Sequence, residues 1–259
     1  MKSTRNAFTL VELLVVIAIL AAMSMAAIAL VKRAAQIKKA RLEMSALGTA
    51  IETYNSAYGR FPVSAAAQTA AGANPNNGDF TYGGTLPTPS GGTTTVGTAV
   101  PYGGGSVANN AEVIAILMDF TDYPGTGLPT INMGHVKNTQ QTKFLNATIV
   151  SDPTLPGVGP DLVYRDPWGN PYIITMDLNG DGQCNDSFYG LQKVSQNNGT
   201  VGFYGLFNTV DAGGNGPHFQ FHGQVMVWSV GPKVGSLQGV DTGSPANAGA
   251  NKNHVLSWQ

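Results

Sequence analysis

One cysteine stands among the 259 residues, no proline occurs before Pro62, and charged side chains make up only 11% of the chain. Each scarcity removes a class. A lone Cys184 forms no intrachain disulfide, so this is not a disulfide-stapled scaffold. Its neighbours Gly182, Gln183, Asn185 and Asp186 offer no base or cation to activate the thiol, which reads as inert. Without proline, nothing obligatory breaks a helix before Arg60. Low charge with abundant Gly, Ala, Thr, Ser and Asn is not the composition of a compact enzyme. Acids are nearly absent from the first 41 residues, where seven cations face Glu12 alone, giving +6; the remainder carries −7. A basic stem joins an acidic body. The stem's cations lie beside an apolar segment with no aromatic residues among them, which argues against a nucleic-acid partner.

What is present begins at Phe8. From there to Val31 run 24 residues, all apolar or small except Glu12. As a helix this is about 36 Å, enough for a hydrocarbon core of about 30 Å. A secretory signal cleaved after Ser24-Met25-Ala26 would need a shorter apolar stretch and no acid inside it. A plain anchor fits the length but leaves Glu12 unexplained, because a mid-membrane acid costs about 2.5–3.5 kcal/mol.

The run "NAFTLVELLVVIAIL" accounts for both the length and the acid. It resembles the leader junction of type IV pilins and type II secretion pseudopilins. The resemblance implies a leader of residues 1–7, cut after Ala7 by a prepilin peptidase, with Phe8 the N-methylated first mature residue. Glu12 becomes the fifth mature residue, the assembly glutamate of this family. Its carboxylate would pair with a neighbouring subunit's Phe8 amine inside an apolar helix bundle, where either charge alone would be strongly destabilising. Ala7 stands where the family usually has glycine. The cations from Lys32 to Arg41 outnumber Lys2 and Arg5, so positive-inside counting puts the far side in the cytoplasm. The motif overrules that count.

Ala34, Ile37, Met44, Leu47, Ile51 and Tyr54 recur at three- and four-residue steps, with the Arg41 stem on the same stripe. They predict one helix from Phe8 to about Ala57, ended by Gly59 and Pro62. "YGRFP" at 58–62 is similar to the helix end of major pseudopilins. Ala29 stands near the place where many pilins carry a proline, so no kink is expected. Residues 63–110 read as a flexible, low-complexity insertion with Tyr82 and Tyr102 scattered in it. A short helix capped by Asn110 follows, burying Val113, Ile114, Leu117 and Met118. "DLVYR", "PYIITMDL", "FYGLF", "HFQFHGQVMVWSV" and "HVLSW" read as strands. Asp166 to Tyr172, "DPWGNPY", resembles a segment of the major pseudopilin head. Ser229-Val230-Gly231 and Trp258 resemble the flanks of that family's calcium loop, but only Asp241 between them is acidic. Its ligands are not carried over.

A separate candidate metal loop lies in "DLNGDGQCND". Asp177, Asn179 and Asp181 occupy positions 1, 3 and 5 of an EF-hand-like spacing, and Gly182 gives the sharp turn. Position 12, where a bidentate acid belongs, is Phe188; Asp186 is the substitute carboxylate, and Ca2+ the candidate cofactor. A polar hairpin turn explains the same Asn-Gly and Asp-Gly pairs. His218 and His222 share a strand face without a third ligand nearby. His135 and Asp211 complete no nucleophile arrangement, so the chain gives no case for an enzyme.

The expected fold is α+β: a long N-terminal helix packed on a small antiparallel sheet head. Four parts are expected: leader 1–7, transmembrane or filament-core helix 8–31, amphipathic continuation 32–58, and head 59–259. The expected function is a structural subunit of a pilus or pseudopilus, anchored in the bacterial inner membrane with its head on the periplasmic side. Its partners would be copies of itself or related subunits, a prepilin peptidase, and an assembly platform with its ATPase. The alternative is a pilin-anchored adhesion or ligand-binding head, which an exposed cluster around Tyr82 and Tyr102 would favour.

Overall fold

The computed structural model describes residues 8–72, 79–98, 108–199, 201–209, 218–235 and 237–259, with the backbone alone at 23–27 and 29. The expected leader, Ala7, Tyr102 and Asp211 lie outside the described residues. Helix α1 spans Leu10–Tyr58, 49 residues. At 1.5 Å per residue that is about 74 Å. It stops at Gly59, whose left-handed backbone (φ 64°) lets its N–H donate to the Asn55 carbonyl at 2.7 Å.

Along this helix the side chains change environment. Met44, Leu47, Ile51 and Tyr54 are fully buried and Ile37 half-buried, at the spacing that the sequence predicts, whereas Ala34 and Arg41 are exposed and Ala40 takes the buried position instead, because the head covers the helix only from there on. The described large apolar residues from Leu10 to Leu20, with Ile28, Leu30 and Val31, are exposed. Among the described residues no helix is long and apolar enough to cross a membrane. The expected span from Phe8 to Val31 includes 23–27 and 29, whose side chains are outside the description.

The head follows in chain order. It holds α2 (Ala65–Gly72), β1 (Phe80–Tyr82), β2 (Gly84–Pro87), β3 (Thr93–Val96) and α3 (Ala111–Leu117). Then come β4 (Gly157–Val158), β5 (Tyr164–Arg165), β6 (Ile173–Met176), β7 (Gln183–Cys184) and the single turn α4 (Gln192–Ser195). The last strands are β8 (Gln196–Asn198), β9 (Val201–Gly202), β10 (Phe207–Thr209), β11 (His218–His222), β12 (Val225–Ser229) and β13 (Val255–Leu256). The main sheet is antiparallel in the order β1-β6-β12-β13, and a second sheet runs β7-β11-β10-β9-β8.

The main sheet is a middle layer. Ile174, Met176, Val227 and Val255 join the core with Met44, Leu47, Ile51 and Tyr54 of α1. Their strand neighbours Ile173, Met226, Trp228 and Leu256 join a second core with Phe188, Tyr189 and Phe219. Alternation along a strand sends successive residues to opposite faces, and here both faces are covered. That is why "YIITM" is a nearly continuous apolar run.

Three expectations change. The described parts of 63–110 form α2, β1 and the β2–β3 hairpin. Phe80, Thr81 and Tyr82 are all buried in the main sheet, so a segment rich in small residues still supplies a strand. Asn110 makes no side-chain cap on α3. Instead its amide donates to the carbonyls of Tyr164 (2.9 Å) and Tyr172 (2.8 Å), and its oxygen accepts the Tyr164 N–H at 2.8 Å. "FYGLF" is a 3-10 turn over Phe203–Gly205 before β10, with Tyr204 at φ 59°.

Candidate functional site

The start of α1 is built by two residues. Thr9 has extended backbone and caps the helix, its Oγ1 accepting the Glu12 N–H at 3.2 Å. Glu12 reaches back, and its Oε2 accepts from both the Thr9 N–H and the Thr9 hydroxyl at 2.8 Å. This reciprocal pair satisfies two otherwise orphaned groups of the first turn. The signal Thr-x-x-Glu before an apolar run was present in the sequence, and it gives Glu12 a role within its own chain. Phe8 is 75% exposed just outside the cap, so Phe8 and Glu12 share one solvent-facing end. From there the uncovered apolar side chains described above begin, far more than a self-contained head leaves exposed.

The head grips the upper helix through the "DPWGN" turn and the end of β12. Asp166 Oδ1 accepts the N–H groups of Trp168 (2.8 Å) and Asn170 (2.9 Å), closing the "DPWGN" turn. Its Oδ2 accepts from the Ser229 hydroxyl at 2.5 Å, and Ser229 Oγ accepts the Gly231 N–H at 3.0 Å. Burial pushes the Asp166 carboxyl up to about 6, against the lowering effect of its hydrogen bonds from Ser229, Asn170 and Trp168. From the same turn Pro167 offers its carbonyl to Gln36 on α1 (3.3 Å), and Tyr172 donates to Glu43 (2.6 Å).

The candidate metal loop is only partly assembled by its own residues. Asp177 Oδ1 accepts the N–H groups of Gly180 (2.6 Å) and Asp181 (3.3 Å), and Oδ2 that of Gly182 (2.8 Å). Asn179 and Asp181 lie at the exposed tip. Asp186 is turned away into the second core. It accepts from Phe188 and Tyr189 N–H groups, the Thr175 hydroxyl and the Trp228 indole, at 2.6 to 3.0 Å. Its oxygens organise the turn into the second core, so the loop and Asp186 do not form one donor set. Among the described residues no three His, Cys, Asp or Glu side chains are gathered to hold a metal ion. A residue that sequence spacing missed lies beside this loop instead. Asp79, 3% exposed, accepts the Asn185 N–H at 2.6 Å. Burial, with the charges of Asp177 and Asp181, pushes its carboxyl up to about 8. No local motif marks it, because its neighbours there lie some hundred residues further along the chain.

The C-terminal loop does not fit a cation. The Asn251 amide donates to the carbonyls of Asp241 (2.8 Å), Ser244 (2.9 Å) and Pro245 (3.4 Å), gathering them as a metal would. Asp241 spends its oxygens on the Gly243 N–H and the Ser244 hydroxyl. Elsewhere Cys184 is buried, and burial pushes its thiol well above the usual range. His222 stacks on Phe207 at 3.8 Å, and His135 pairs with Asp119 at 2.8 Å.

No curated protein and no solved structure matches the chain. One family model does, over residues 2–28, which include Ala7, Phe8, Thr9 and Glu12. The chain therefore carries the prokaryotic N-terminal methylation motif, typical of type IV pilins and pseudopilins, on a pilin-like α+β fold.

Proposed function

We propose that the chain is a structural subunit of a pilus or a type II secretion-like pseudopilus. A prepilin peptidase cuts between Ala7 and Phe8, the new Phe8 amine is methylated, and the mature subunit polymerises through α1. The observation that carries this reading is the junction of the methylation motif with a helix start whose apolar side chains have no cover in their own chain. Before assembly that surface is sheltered in the inner membrane, with the head on the extracytoplasmic side. An assembly platform and its ATPase then extract the subunit.

The capping pair gives the assembly step a physical form. In the separate subunit Glu12 is held by Thr9. In the filament the same carboxylate meets a neighbour's Phe8 amine, exchanging neutral hydrogen-bond donors for a cationic one in an apolar setting. Glu12→Ala is therefore expected to abolish incorporation into filaments while leaving head stability unchanged. Intact mass and N-terminal sequencing of protein from its native membranes should give a chain beginning at methylated Phe8. Filaments assembled normally by the Glu12→Ala protein, or a chain still beginning at Met1, would sink the proposal. The adhesion reading loses one of the two aromatics it needs on the surface, since Tyr82 is fully buried.

A further inference from the structure

The loop after β6 lacks the acid that its own spacing asks for, and another part of the chain brings one. Strands β1 and β6 pair antiparallel with Phe80 opposite Met176, and the same register continued by one residue sets Asp79 opposite Asp177. Like charges facing each other across paired strands repel. No ion pair among the described residues includes Asp79, Asp177 or Asp181.

Asp79 adds an observation independent of that clustering. Its Oδ2 is occupied by the Asn185 N–H, but its Oδ1 is buried with no hydrogen-bond partner. A buried carboxylate oxygen without a partner is costly, and a cation both satisfies it and neutralises the acids around it. On the loop side, three N–H groups fill three of the roughly four acceptor sites of Asp177, leaving one.

We infer that Asp79, Asp177 and Asp181, with the Asn179 side-chain oxygen, form a binding site for a hard divalent cation of calcium's size. Asp79 takes the place of the acid absent at Phe188. Oxygen ligands on an irregular loop suit calcium, which accepts flexible geometry, better than magnesium, which demands a near-ideal octahedron. Because the side chains are not already gathered, binding includes closure of the exposed tip, residues 179–182, toward Asp79. Gly180 and Gly182 have positive φ and open space where a Cβ would stand, so the tip is unobstructed. This site stands apart from the filament reading and survives or fails without it.

The test uses the full chain in detergent micelles, stripped with a chelator and titrated with calcium chloride by calorimetry. Thermal unfolding is followed in parallel. One ion per chain is expected, with a dissociation constant of about 10⁻⁴–10⁻³ M, the range of extracellular modules, and a higher melting temperature at saturation. Asp79→Asn keeps an acceptor for the Asn185 N–H and removes the charge, so the variant should fold. It should bind calcium at least about tenfold more weakly, since affinity follows ligand charge count. Asp181→Ala, at the exposed tip, should weaken binding without touching the core. Asp152→Asn, in a separate exposed turn where it is held by Thr154, should bind as the parent does. Absence of both binding heat and thermal shift in the parent chain overturns the inference, as does unchanged calcium affinity in Asp79→Asn.

Discussion

Helix α1 carries two kinds of apolar surface. Between Ala40 and Tyr54 the apolar residues form a stripe, and the head covers it. Between Leu10 and Leu20 they lie on every side of the helix and the described residues leave them exposed. A stripe is matched to one partner surface; an all-round apolar helix is matched to an apolar surrounding. The same continuous backbone is thus covered by its own head in the upper half and, among the described residues, left bare in the lower half.

The sharpest way to break this comparison is to shorten one side chain in each half. Ile51→Ala should destabilise the head by about 2–5 kcal/mol in denaturant unfolding, through lost burial and a residual cavity. Leu14→Ala, 55% exposed in the parent, should stay within about 0.5 kcal/mol in the same assay. Equal losses would mean that the lower helix also packs on the head. A second, smaller effect separates polar from apolar support inside the head. Asn110→Ala strands the Tyr164 N–H and two carbonyls, so a loss of about 1–3 kcal/mol is expected, with faster hydrogen exchange at Tyr164. No change in exchange there would show that water takes over the role.

The smallest effect is pH-dependent and sets two buried groups against each other. His254 is stacked on Trp228, accepts from or donates to Tyr189 at Nδ1, and meets the Gly239 carbonyl at Nε2. Burial pushes its imidazole down to about 4, against the raising effect of that carbonyl. The unfolded chain therefore takes up a proton from about 6.5 downward that the folded chain refuses, and stability is lost as pH falls towards about 4. Asp166 runs the opposite way. With its carboxyl raised from 3.8 to about 6, the folded chain binds the proton first, and stability falls as pH rises through that window. Melting temperatures of His254→Gln should decline less than the parent's on acidification from about 6.5, and those of Asp166→Asn should decline more. The reverse order would mean that the two groups are not buried as described.

What the sequence made legible was what depends on near neighbours. The helix, its end at Gly59 and the β6 and β12 strands follow from local periodicity and turn residues, and the methylation motif from the resemblance of one contiguous run. The bonds of Asn110 and Asn251 could not be read that way. An asparagine is a loop residue by composition, and its carbonyl partners here belong to elements up to 62 positions away. Strand β1 was hidden for a related reason. "FTY" is too short to stand out among Gly, Asn and Ala, and only its pairing with β6 makes it a strand. Asp79 inherits that invisibility, so the loop's spacing pointed to Asp186, which the second core had already claimed.

The strand Val255–Leu256 contributes Val255 to the core against α1 and Leu256 to the core beyond the sheet. During synthesis the helix emerges long before those two residues. Its buried stripe waits for them before both layers can close, since contacts this distant in sequence form late. A ribosome stalled short of residue 255 would hold out a finished helix whose stripe still faced water.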